Sequence, residues 1–100
     1  MTIKNTYEET VENQLTDLNA QIKELAAKAD EAKADAKEQY RAQVRELEEQ
    51  RDEARSKLRQ LESSGDEALD DLKSGIDEAM SSLSSAVESA RARFSGGSES

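Results

Sequence analysis

The chain contains no cysteine, histidine, tryptophan or proline. Without thiols there is no disulfide framework and no thiolate metal site, and without imidazole the commonest general base is missing. Aromatic side chains number three, and glycines four, two of them in the last five residues. Apolar residues are 34 of 100, and 14 of these are Ala, which leaves 20 larger apolar side chains to hold a fold. An ordinary globular domain carries about 45–50% apolar residues. A thick private core is therefore not expected, whereas elongation and self-association are. No window approaches the ~18 consecutive apolar residues of a membrane-crossing helix. The opening MTIKNTYEETVENQL lacks the apolar run of a signal peptide. The expected location is the cytoplasm.

What the chain does have is charge and helix formers. Charged residues make up 37%, and Ala, Glu, Lys, Arg, Leu and Gln dominate, as in long helices and coiled coils. The net charge of −9 is uneven. Residues 1–25 carry 2 positive and 5 negative charges, residues 26–60 carry 9 of each, and residues 61–100 carry 3 and 9. A field of this sign disfavours nucleic acid and anionic membranes as partners.

Apolar periodicity organises the chain. Thr6 followed by Glu9 has capping-box spacing, so the spacing predicts a helix start there. From it, Tyr7, Val11, Leu15, Leu18, Ile22, Leu25, Ala29, Ala32 and Ala36 settle into alternating steps of three and four, a heptad seam. The steps then run four and four through Tyr40 and Val44, a phase slip, before a second register of Leu47, Arg51, Ala54, Leu58 and Leu61. The slip lies beside ELAAKADEAKADAKEQ, where the seam is Ala alone and helix propensity is high.

The first glycine of the chain is Gly65. Ser64-Gly65-Asp66, followed by the acids Glu67, Asp70 and Asp71, predicts a turn. In that reading Gly65 is left-handed at the end of one helix, and the acids favour the positive start of the next. Past it, Leu69, Leu72, Ile76, Ala79, Met80, Leu83, Ala86, Val87, Ala90 and Phe94 trace one face. Gly75 in that helix is expected to permit a close contact with a facing helix.

The expected architecture is all-α. It comprises a tail at 1–5, a long amphipathic helix at 6–63, a turn at 64–66, a second helix at 67–94 and a disordered tail at 95–100. The two helices form an antiparallel coiled-coil hairpin with Tyr40, Val44, Leu47, Leu58, Leu61, Leu69, Leu72, Ile76 and Leu83 in its core. A helix of 58 residues spans roughly 87 Å, and the second roughly 43 Å. The second helix then reaches only residues 36–62 of the first. The seam Val11, Leu15, Leu18, Ile22 and Leu25 is left without an intrachain partner, so dimerisation through it is expected. The alternative is a break near 30–37 that gives three helices in one bundle, but no Gly or Pro marks it.

Three polar features invite function. Lys33, Lys37, Arg41 and Arg45 form a basic stripe repeated by Arg51, Arg55 and Arg59. Neighbouring acids neutralise it, so a solvated face is expected. Asp66, Glu67, Asp70, Asp71, Asp77 and Glu78 cluster as acids, but lack the turning loop that a calcium site needs. The segment MSSLSSAVESA has a Ser-rich polar face, as on some helices that lie on membranes. The Lys or Arg and large apolar anchors of that class are missing, and partner-helix packing is expected instead. No catalytic residue, cofactor or metal site is expected.

Gln39-Tyr40, the Leu47–Leu61 heptads, Ser64-Gly65 and the run LKSGIDEA at 72–79 resemble a family of small bacterial coiled-coil proteins. Some of these, in cyanobacteria and proteobacteria, are named as stress-response proteins. The likeness spans roughly residues 36–94, and members often carry Trp where this chain has Leu69 and Met80. The resemblance implies a non-enzymatic role linked to stress and implies no catalytic residue. The expected function is a structural or protective coiled coil that associates with itself or with another helical protein. The alternatives are a lipid-surface binder and a partly disordered stress protectant.

Overall fold

A computed structural model describes residues 3–97, with side chains described for 5–65 and 67–94. Three α-helices of 29 residues each follow one another: α1 (Ile3–Glu31), α2 (Ala34–Glu62) and α3 (Leu69–Gly97). A single 3-10 turn, Asp66–Ala68, precedes α3. No strand occurs among the described residues. The helices pack as an up-down-up bundle with extents of 51 × 19 × 16 Å.

The single helix expected over 6–63 is therefore corrected. The chain turns back at Ala32–Lys33, and the three-helix alternative is the fold. Magnitudes explain the break. A straight helix would leave the α1 seam in water. Burying its five side chains is worth about 1.5–3 kcal/mol each, on the order of 10 kcal/mol together. Interrupting the helix removes about four backbone hydrogen bonds, each worth about 1 kcal/mol net. Burial wins. The position follows from the same balance, because a corner where the seam is only Ala forfeits the least apolar contact. The phase slip through Tyr40 and Val44 is the trace of this corner, since α2 starts its own register.

The turn itself is tight. Lys33 is the N-cap of α2, with φ −65° and ψ 157° and no side-chain cap. Its carbonyl accepts from the Ala36 and Lys37 amides at 3.0 and 2.7 Å, while the Ala32 amide donates to the Ala29 carbonyl at 3.2 Å. Across the corner, the Arg41 guanidinium holds Asp30 at 2.9 Å on an exposed surface.

The second turn is where it was expected but is built differently. The cap of α2 is Ser63, in right-handed helical conformation, and Gly65 has no positive φ. The Ser63 and Ser64 hydroxyls both donate to the Gln60 carbonyl, at 3.1 and 2.6 Å. Hydroxyls, not a left-handed glycine, satisfy the end of α2. Asp70 and Asp71 do lie in the first turn of α3, where a carboxylate suits the dipole.

The remaining boundaries also move. α1 begins at Ile3, so Thr6 is inside the helix and its carbonyl accepts from the Thr10 hydroxyl. α3 runs through Ser95–Gly97, which were expected to be tail. The tail residues 1–2 and 98–100 lie outside the described residues. Among the described residues, no helix is long and apolar enough to cross a membrane.

Candidate functional site

One apolar core runs the length of the bundle, and it takes up both sets of residues singled out in the sequence. Val11, Leu15, Leu18, Ile22 and Leu25 are buried within the chain, so the seam expected to lack an intrachain partner has one. Tyr40, Val44, Leu47, Leu58, Leu61, Ile76 and Leu83 are buried with it, while Leu69 and Leu72 are half-buried against it. Ala29, Ala54, Met80, Val87, Ala90 and Phe94 complete it. The sequence shows Val87, Ala90 and Phe94 on the α3 face.

Aromatic side chains close the two ends. Near the α1–α2 corner, the Tyr40 and Phe94 rings stack at 4.0 Å between centroids and 19° between planes. The Tyr40 hydroxyl donates to the Arg93 carbonyl at 3.4 Å. At the other end, the Tyr7 hydroxyl donates to Asp77 Oδ1 at 2.6 Å, with the Lys73 carbonyl a longer acceptor at 3.3 Å. The Lys73 ammonium sits 5.5 Å from the Tyr7 ring centroid. Partial burial, then the hydrogen bond to Asp77, then the charge of Asp77 hold the Tyr7 proton on and push its pKa above the usual tyrosine range.

Arg51 occupies a seam position, which in a coiled coil would be apolar. Its side chain is 18% exposed, and it also contacts Asp52. Its Nη1 donates to Asn19 Oδ1 at 2.7 Å. This is a polar layer between α1 and α2, of the kind that fixes register in helix pairs. Next to it the Gln50 Oε1 is buried without a partner.

The α1–α3 pair is the loosest of the three. These helices run parallel, and Tyr7–Asp77 and Gln21–Arg91 (3.2 Å) strap them at the same offset of 70 residues. Between the straps lies an open groove of about 530 Å³, floored by Leu18 and Met80 and walled by Gln14, Asp17, Ser81 and Ser84. The small serines leave the gap. Its carboxylates are exposed, and it brings no nucleophile against a base.

The other polar features are surface. Of the basic stripe, Lys33, Arg41 and Arg45 are exposed and Lys37 is half-buried. Lys33 ends at the corner, and Arg41 is paired with Asp30. Glu67, Asp70, Asp71, Asp77 and Glu78 are exposed, and the Asp66 side chain lies outside the described set. Among the described residues no three carboxylates converge to hold a metal ion.

No protein-family model matches the chain, and no curated protein or solved structure matches it either.

Proposed function

We propose that this chain is a non-enzymatic structural or protective protein of the cytoplasm that acts through helix–helix association with itself or with another helical protein. The observation that carries the reading is the single core. The larger apolar side chains of all three helices converge in it, and among the described residues most charged side chains lie at the surface. A surface of this kind works by area and charge. The link to stress rests on the resemblance over residues 36–94.

A lipid-surface role asks more of the molecule. Ile76, Leu83 and Val87, the apolar face that α3 would lay on a bilayer, are fully buried, so the bundle would have to open first.

The test is rescue of a cell lacking the protein under osmotic, salt or oxidative stress. Asp71→Ala and Arg45→Ala alter exposed single charges worth about 0–1 kcal/mol and should preserve rescue. Ile76→Asp places a charge in the core and should abolish it. Rescue lost with Arg45→Ala but retained with Ile76→Asp would move the function from the bundle to the basic stripe.

A further inference from the structure

The α1–α2 corner is built from residues that all favour continuing the helix. Residues 26–38 contain only Ala, Lys, Asp and Glu, with no Gly or Pro. Lys33 already has a helical φ of −65°, and only its ψ of 157° departs from helix. No side chain caps α2 there. Three backbone hydrogen bonds and one exposed ion pair fasten the corner. Straightening it would restore an unbroken ladder to the carbonyls that end α1 and the amides that open α2. What keeps the corner closed lies far from it, in the burial of Val11–Leu25 against α2 and α3.

That burial does not depend on which copy supplies α1. We propose that two copies of this chain exchange α1, each straightening at Ala32–Lys33 into one helix over 3–62 and laying its seam on the α2–α3 hairpin of the other. The proposal rests on the association reading above and names its partner as a second copy. Every core contact of the closed bundle is kept, and only the corner changes. The two long helices pass side by side, antiparallel, at the dyad. There Ala29, Ala32 and Ala36 present no bulk, which allows a close approach. Short connections of this kind favour exchange. The closed form dominates in dilute solution, where α1 is held at high effective concentration, and exchange gains ground by mass action as concentration rises. Leaving the closed form requires withdrawing the whole α1 seam, so the forms interconvert slowly.

Ala34→Pro separates the two forms. Ala34 is the first residue of α2, where proline is tolerated. Lys33, with ψ 157°, already lies where a residue preceding proline sits. In the straightened helix the same proline is interior, where it deletes the bond to the Asp30 carbonyl and clashes with it. The closed form should be unharmed and the exchanged dimer suppressed by at least roughly a hundredfold.

The experiment refolds full-length chain at low and at near-millimolar concentration and measures mass by sedimentation. A mixture of Asn19→Cys chains and Arg51→Cys chains is then treated with a short bis-maleimide, since these two side chains touch across α1 and α2. The proposal predicts dimer after concentrated refolding, cross-linking between chains, and loss of both with Ala34→Pro. If Ala34→Pro lowers helicity by circular dichroism, insertion of several glycines between Ala32 and Lys33 takes its place and should give the same loss. Dimer that persists in both variants overturns the exchange and leaves association through another surface standing. Monomer at every concentration overturns it as well, and leaves the rescue assay to decide the association with other proteins.

Discussion

At the scale of single residues, Tyr7 makes the sharpest statement. Its hydroxyl ties α1 to α3 through Asp77 at 2.6 Å, and its pKa in the folded protein is raised. The neutral form is the one the fold favours. The contribution is therefore fully present below the unfolded tyrosine pKa of about 10 and drains away as pH rises above it. Melting followed from pH 8 to 11 should show the native chain losing stability above about pH 10 more steeply than Tyr7→Phe does. Parallel slopes in the two proteins would mean that the hydroxyl contributes nothing. Little of this pairing was legible in the sequence. Tyr7 reads as the head of a seam and Asp77 as one of six clustered acids, and only the parallel return of α3 brings them together. Arg51 was half-legible. Its seam position is plain from the heptads, but its partner Asn19 lies 32 residues away on a helix expected to run straight on.

At the scale of elements, the helical content and the apolar faces were legible, and the corners were not. Glycine misled at Gly65 and again at Gly75. Neither has a positive φ, and a Cβ added at either would meet nothing within 4 Å. The close contact expected at Gly75 is open space. Gly75→Ala in mid-α3 should therefore raise stability by up to about 1 kcal/mol, seen as a higher melting temperature. Gly65→Ala should be tolerated. A fall in melting temperature for Gly75→Ala would indicate a contact that the bundle does not show. The α1–α2 corner stayed hidden because its residues carry no local signal. Helix propensity there favours continuing, and only the long-range burial of Val11–Leu25 overrules it. The heptad slip at Ala36–Tyr40–Val44 was the one available sign, and a slip also fits a straight coiled coil whose supercoil changes. The seam makes its own prediction. Ile22, 1% exposed, should cost about 2–5 kcal/mol when cut to Ala, and in dilute protein that loss should not depend on concentration.

At the scale of the whole molecule, folding sorts the charge. The half of the rod at the α2–α3 turn, residues 3–17 and 48–83, holds 6 basic and 15 acidic residues, a net −9. The other half, residues 18–47 and 84–97, holds 8 and 7. The middle segment is neutral and stays so at 48–60, with 4 charges of each sign, and the topology brings the acidic stretches 3–17 and 61–83 together beside it. Two of the three ion pairs among the described residues lie in the acidic half, and their acids are 65% and 66% exposed, so they offset little of its repulsion. Added salt should therefore raise the melting temperature by screening that half, and a fall would show that attraction dominates. The central claim is that α1 folds back on its own chain. Spin labels on Glu9→Cys and Gln60→Cys, both exposed, measure this directly in dilute protein diluted further with unlabelled chain. The bundle brings the start of α1 and the end of α2 to the same end of a rod 19 Å wide in its second dimension. The electron–electron distance should then fall at roughly 20–30 Å, the rod width plus the label arms, whereas a continuous helix would set it near 76 Å at 1.5 Å per residue. A dilute monomer showing the long distance would contradict the account.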